Sequence, residues 1–109
     1  MAHRPLAPAT AAALVTTVTG WELVEVRGAG AHRVELRAAD RLFAVVGPQG
    51  VELELPPRVG AMLVETGRAE AQAEGSRVLC RPDASGLIDP DLLLLAYARA
   101  RVPARVAGR

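Results

Sequence analysis

Aromatic side chains are scarce in this chain: Trp21, Phe43 and Tyr97 are the only three among 109 residues, although half of the residues are apolar. A core must therefore be assembled from small aliphatic groups. A domain of this length has little interior in which to hide them, so some apolar surface is expected to remain for self-association. Lysine is absent, and the formal net charge is only +1. That balance excludes a global field for nucleic acid or an anionic membrane, and leaves only local patches. The single cysteine, Cys80, excludes an internal disulfide and fits a reducing, cytoplasmic compartment. His3 and His32 have no spaced His, Cys or carboxylate partner, so no metal site is expected. No stretch approaches membrane-spanning length. Arg4 and the apolar run after it superficially fit a secretory leader, but Pro5, Pro8 and four threonines dilute its centre.

What is present is organised around Arg41 to Gly67. Leu42 to Val46 is an apolar run with β-branched and aromatic members, as in a central strand covered on both faces. Gly47-Pro48-Gln49-Gly50 reads as a short hairpin loop. Val51, Leu53 and Leu55 then alternate with Glu52 and Glu54, the period of a half-buried strand. Pro57 suits a first helical position, Val59, Met62, Leu63 and Thr66 follow at helical spacing, and Gly67 can close the helix in the left-handed conformation.

Around this unit the sequence predicts a flexible N-terminal arm (1–8), a short helix from Ala9 to Thr19, and strands over Trp21–Arg27 and His32–Ala38. In the second strand Val34 and Leu36 face inward while Arg33, Glu35 and Arg37 face outward. Arg68 to Gly75 reads as a polar connection, and Ser76 to Arg81 as a fifth strand. Asp89-Pro90-Asp91 starts a last helix with a cap, a first-position proline and an acid at the positive end of the dipole. The helix reaches about Arg101, and a flexible basic tail (102–109) follows. The expectation is a single two-layer α+β domain over 9–101, an antiparallel meander of about five strands with helices packed on one face.

Chemistry is thin. Gly28-Ala29-Gly30 opens like a dinucleotide-binding loop, but position 33 is arginine and a strand follows, so a hairpin turn is the reading. Glu52 and Glu54 stand about 7 Å apart on one strand face, a separation at which carboxylates can divide acid and base roles. Alternation alone produces this, and pairing with Arg33 or Arg37 is the simpler expectation. Cys80, beside Arg81, reads as a packed thiol. Ser76 and Ser85 lie in no nucleophile motif. Neither catalytic residues nor a cofactor is expected. On the last helix, Leu94, Tyr97 and Ala98 are expected to dock on the sheet. Leu92, Leu93 and Ala96 are then left for the first helix or for another chain, a candidate interface.

The segments RLFAVVGPQGVELELPPRVGAMLVETGRAE and DPDLLLLAYARA resemble the small bacterial family known as "luciferase domain" and, more loosely, YjbR-like proteins. The shared features are a strand pair leading to a proline-started helix that ends near a Gly-Arg, and a last helix with an alanine- or serine-tyrosine pair, here Ala96-Tyr97. The resemblance spans roughly Trp21 to Arg101 and implies a two-layer α+β fold. Where the first family carries histidines, this chain has Ala44, Val46 and Gln72, so no role resting on them carries over. For YjbR-like proteins DNA binding has been proposed; its candidate contacts here are Arg33, Arg37, Arg99, Arg101, Arg105 and Arg109. The expected function is a non-catalytic binding or interaction module, oligomeric, with itself or another protein as partner and no membrane role. The alternatives are a nucleic-acid binder and an enzyme whose site is assembled only in space.

Overall fold

The computed structural model describes residues 5–28, 30, 32–72, 77–83 and 85–101. A first helix, α1 (Pro8–Thr19), precedes two hairpin-linked strands, β1 (Val24–Gly28) and β2 (Val34–Ala38). Strands β3 (Arg41–Gly47) and β4 (Gly50–Glu54) follow, then α2 (Pro57–Glu65), β5 (Ala69–Ala71), β6 (Arg77–Cys80) and α3 (Pro90–Arg101). All pairings are antiparallel, in the order β1-β2-β3-β4-β6-β5. The α+β class and the helices packed on the sheet are as the sequence predicts. The strand count is six, because Ala69–Ala71, read from sequence as a polar connection, adds an edge strand to β6.

Local chemistry explains the joints. Ala39 and Asp40 both take positive φ, 51° and 67°, the conformation of a two-residue turn whose twist matches its strands. Gly50 has φ +146°, and a Cβ there would collide with the carbonyl oxygen of Cys80 on the neighbouring strand, so only glycine fits. The α2 helix starts on Pro57 and ends at Gly67 with φ +78°. For α3, Asp89 Oδ1 accepts the N–H of Asp91 at 2.9 Å, while Arg99 and Arg101 lie in the last turn, at the negative end of the dipole.

The core lies between the sheet and the helices. Leu36, Ala44, Val46, Val51, Leu53, Val78 and Cys80 form its sheet side, with Leu63 from α2 and Val18 from α1 above. Between β2 and β3 the register slips, Leu36 pairing with Ala44 and Arg37 with Leu42, which leaves Phe43 as the extra residue of a β-bulge. The bulge allows consecutive Phe43 and Ala44 both to join the core.

Three expectations are corrected. Trp21 precedes the first strand instead of starting it: its ring sits 4.8 Å from that of Tyr97, which in turn meets Phe43 edge-on at 5.7 Å. All three aromatics thus share one knot, tied by the Tyr97 hydroxyl, which donates to the carbonyl of Glu22 at 2.7 Å. The 1–8 arm is anchored where it is described, since Leu6 is buried and its N–H bonds the Pro48 carbonyl at 2.7 Å. Finally, α3 docks by Leu93, Ala96, Tyr97 and Ala100, whereas Leu94 and Ala98 are exposed. That spacing of i, i+3, i+4 and i+7 is one helical stripe, and its two alanines let the helix lie close to the sheet.

Candidate functional site

A cleft of about 550 Å³ lies where the end of β6 and the start of β5 meet the loop leading into α3. Gly67 to Glu70, Cys80 to Asp83 and Leu87 to Pro90 line it. The walls carry charge because β5 and β6 pair in a register that sets Glu70 opposite Leu79, one residue from Cys80 and two from Arg81. Glu70 and Arg81 form a hydrogen-bonded ion pair, which pushes the guanidinium pKa further up. Arg68 lies 3.7 Å from Asp89. The Asp83 carboxylate accepts the N–H groups of Ser85 at 2.8 Å and Leu87 at 3.1 Å, closing its own loop.

Cys80 is the one nucleophile-type side chain in this wall. Burial pushes its thiol up to about 11, and the nearby positive charge of Arg68 offsets this only in part. At neutral pH it is protonated and unreactive. Among the described residues no three of His, Cys, Asp and Glu are grouped to hold a metal ion. Four of the cleft's charged groups are thus paired, Arg68 with Asp89 and Arg81 with Glu70, and the Asp83 carboxylate is taken up by backbone N–H groups. Cys80 beside Arg81 is packed as the sequence predicts, but their meeting with Arg68, Glu70 and Asp89 was not anticipated, since these come from separate segments. The one available signal was the alternation through Ala69-Glu70-Ala71, which places a lone carboxylate on a strand.

The sheet face opposite the helices is the second charged region. Glu35, Val45, Glu52, Leu79 and Glu70 lie in one row across five strands. Val45 and Leu79 stand outside the core cluster that the described helices cover, yet they are 3% and 7% exposed. Charged pairs flank them: Arg33 bonds Glu52 at 3.0 Å, Arg77 approaches the same carboxylate at 3.7 Å, and Arg37 meets Glu35 at 3.4 Å. Long arginine stems can cover apolar atoms while their heads stay in water. Of the pairings expected for Glu52 and Glu54 with Arg33 or Arg37, the structure shows Glu52 with Arg33, whereas Arg37 turns to Glu35.

The candidate residues separate accordingly. Leu93 and Ala96 lie in the core and so leave the proposed interface; Leu92 is half-buried at the rim of the cleft. Arg33 and Arg37 face glutamates, and Arg101 bonds Glu22 at 2.8 Å with its guanidinium 5.6 Å from the Tyr97 ring centre. Arg99 is half-buried in the last turn of α3, and Arg105 and Arg109 lie outside the described residues. The structure thus does not gather these arginines into one basic surface among the described residues. No described helix is long and apolar enough to cross a membrane. No protein-family model matches the chain, and no curated protein or solved structure matches it either.

Proposed function

We propose that this chain is a non-catalytic binding and interaction module that works as an oligomer in a reducing, cytoplasmic setting. The observation that carries the reading is the state of the cleft, whose arginines pair with Asp89 and Glu70, whose Asp83 is bonded to its own loop and whose thiol is held protonated. A site that transforms substrates needs a group poised to donate, accept or attack. The buried free thiol of Cys80 supports the compartment. The nucleic-acid alternative draws less support, because Arg33, Arg37 and Arg101 each have a carboxylate partner and so offer little uncompensated charge to phosphate. Kinship with the "luciferase domain" family belongs to the same proposal and adds no chemistry, since Ala44 and Val46 are core residues here.

Sedimentation equilibrium from micromolar to millimolar protein tests the reading. The expected result is a mass that rises above that of the monomer with concentration. A mass that stays monomeric overturns it, and a short DNA duplex shifted at low salt by that monomer would put the nucleic-acid reading in its place.

A further inference from the structure

The sheet has two edges, and they are finished differently. Each has a helix nearby, α2 at β5 and α1 at β1, but the β5 edge is only three residues long and its Glu70 is held by Arg81. Short, charge-blocked strands of this kind resist pairing. The β1 edge is five residues, Val24-Glu25-Val26-Arg27-Gly28, in unbroken register with β2. It has no proline and no bulge, its last four residues are exposed, and Val26 is 40% exposed.

The sequence of that edge is complementary to itself. In an antiparallel pair related by a two-fold axis, the residue on the axis faces its own copy, and its neighbours face each other across it. With Val26 on the axis, Val26 meets Val26, Glu25 meets Arg27 of the second copy and Arg27 meets Glu25. Centring on Glu25 or on Arg27 instead brings like charges together. Within the sheet, Glu25 already stands opposite Arg37 and Arg27 opposite Glu35, and Arg27 lies 3.9 Å from Glu25 along the strand itself. Joined at Val26, the row would read Glu35, Arg27, then Glu25 and Arg37 of the second copy, an alternation of sign carried unbroken from one sheet into the next.

We infer that two copies of this chain associate edge to edge through β1, with Val26 on the two-fold axis and Glu25 and Arg27 exchanged between copies, joining six strands from each into one sheet. The inference rests on the oligomeric reading above and supplies its surface. Cross-strand pairs of opposite charge stabilise and like pairs destabilise, so reversing one sign turns both symmetry-related contacts repulsive.

The test uses Glu25→Arg and Arg27→Glu, each alone and mixed. Each variant alone is expected to dimerise about tenfold more weakly than the wild type, or worse. An equimolar mixture pairs Arg with Glu at both contacts and is expected to recover the association. Each substitution also sets like charges opposite β2 within its own sheet, but that penalty is the same alone and in the mixture, so recovery reports the interface. Hydrogen exchange on the wild type provides a measurement independent of the variants: amides of Val24–Gly28 should gain protection as concentration rises. Dimerisation that ignores both charge reversals, a mixture no stronger than its components, or protection that grows elsewhere, for instance around Leu94, overturns the β1 interface and leaves the interaction-module reading standing. A wild type that stays monomeric overturns both.

Discussion

Val46, Val51 and Cys80 stand side by side beneath the helices, while the adjacent row on the other face is Val45, Glu52 and Leu79. Val45 and Leu79 are nearly as buried as the core residues one position away, although they stand outside the cluster that the described helices cover. The first row is dry because a second layer covers it, and its stability comes from apolar area removed from water and from close packing. The second is flanked by Arg33, Arg37, Arg77 and their glutamates, and long arginine stems can cover apolar atoms, so such cover is only as firm as exposed ion pairs make it. A sheet face can thus lose its apolar exposure without acquiring a docking partner. The open face therefore has little to offer an apolar ligand, and the unpaired groups of the sheet are left at its edges.

The comparison breaks most readily at Phe43. Truncation to alanine removes the ring that meets Tyr97 and leaves a cavity under α3, and is expected to cost about 3–5 kcal/mol in urea unfolding, enough to unfold a marginal domain. Leu79→Ala on the charged face is expected near the low end of the range for such truncations, about 2 kcal/mol, because arginine stems can settle into the space. Equal losses at the two sites would show that the charged cover is as rigid as the helical layer.

The same contrast explains what the sequence disclosed. Strict alternation in Val34-Glu35-Leu36-Arg37-Ala38 and in Val51 to Leu55 gave strands and their inner faces, and Pro57, Gly67 and Asp89-Pro90-Asp91 gave helix ends, because these signals are local. The edge strand Ala69–Ala71 was nearly hidden, since its one alternation is too short to stand out and three polar or small residues become a strand only by pairing with β6. The face of α3 was hidden for another reason. Leu92, Leu93, Leu94 and Leu95 are apolar on every side, so the choice falls to Tyr97, which must reach the Glu22 carbonyl 75 residues away. The cleft was hidden because Arg68 and Asp89, and Glu70 and Arg81, meet only through tertiary structure.

Cys80 sharpens the comparison through pH, since it is the titratable group of the helix-covered row. Its folded pKa is raised from 9.0 to about 11 by burial, so the unfolded chain gives up the proton first. Stability from keeping the thiol neutral is fully present below about pH 9 and is lost as pH rises towards about 11. Over that window the wild type is expected to lose roughly 2 kcal/mol more than Cys80→Ala does in parallel urea titrations. Superimposable pH profiles would mean that the thiol has access to water and that the row beneath the helices is not sealed.

Glu52 should give the smallest effect, and the one that speaks most directly about the charged face. It is 19% exposed and serves two arginines, Arg33 at 3.0 Å and Arg77 at 3.7 Å. Glu52→Gln keeps the stem that lies between Val45 and Leu79 while removing the charge, so it separates electrostatics from cover. The expected loss is about 1 kcal/mol or less at low salt, shrinking towards zero at about 1 M salt, where the screening length is about 3 Å. A core truncation such as Phe43→Ala should show no such decline, because packing does not depend on screening. If the Glu52→Gln loss instead persists at high salt, the two arginines are held by geometry and packing, and the open face is a second rigid layer one side chain thick.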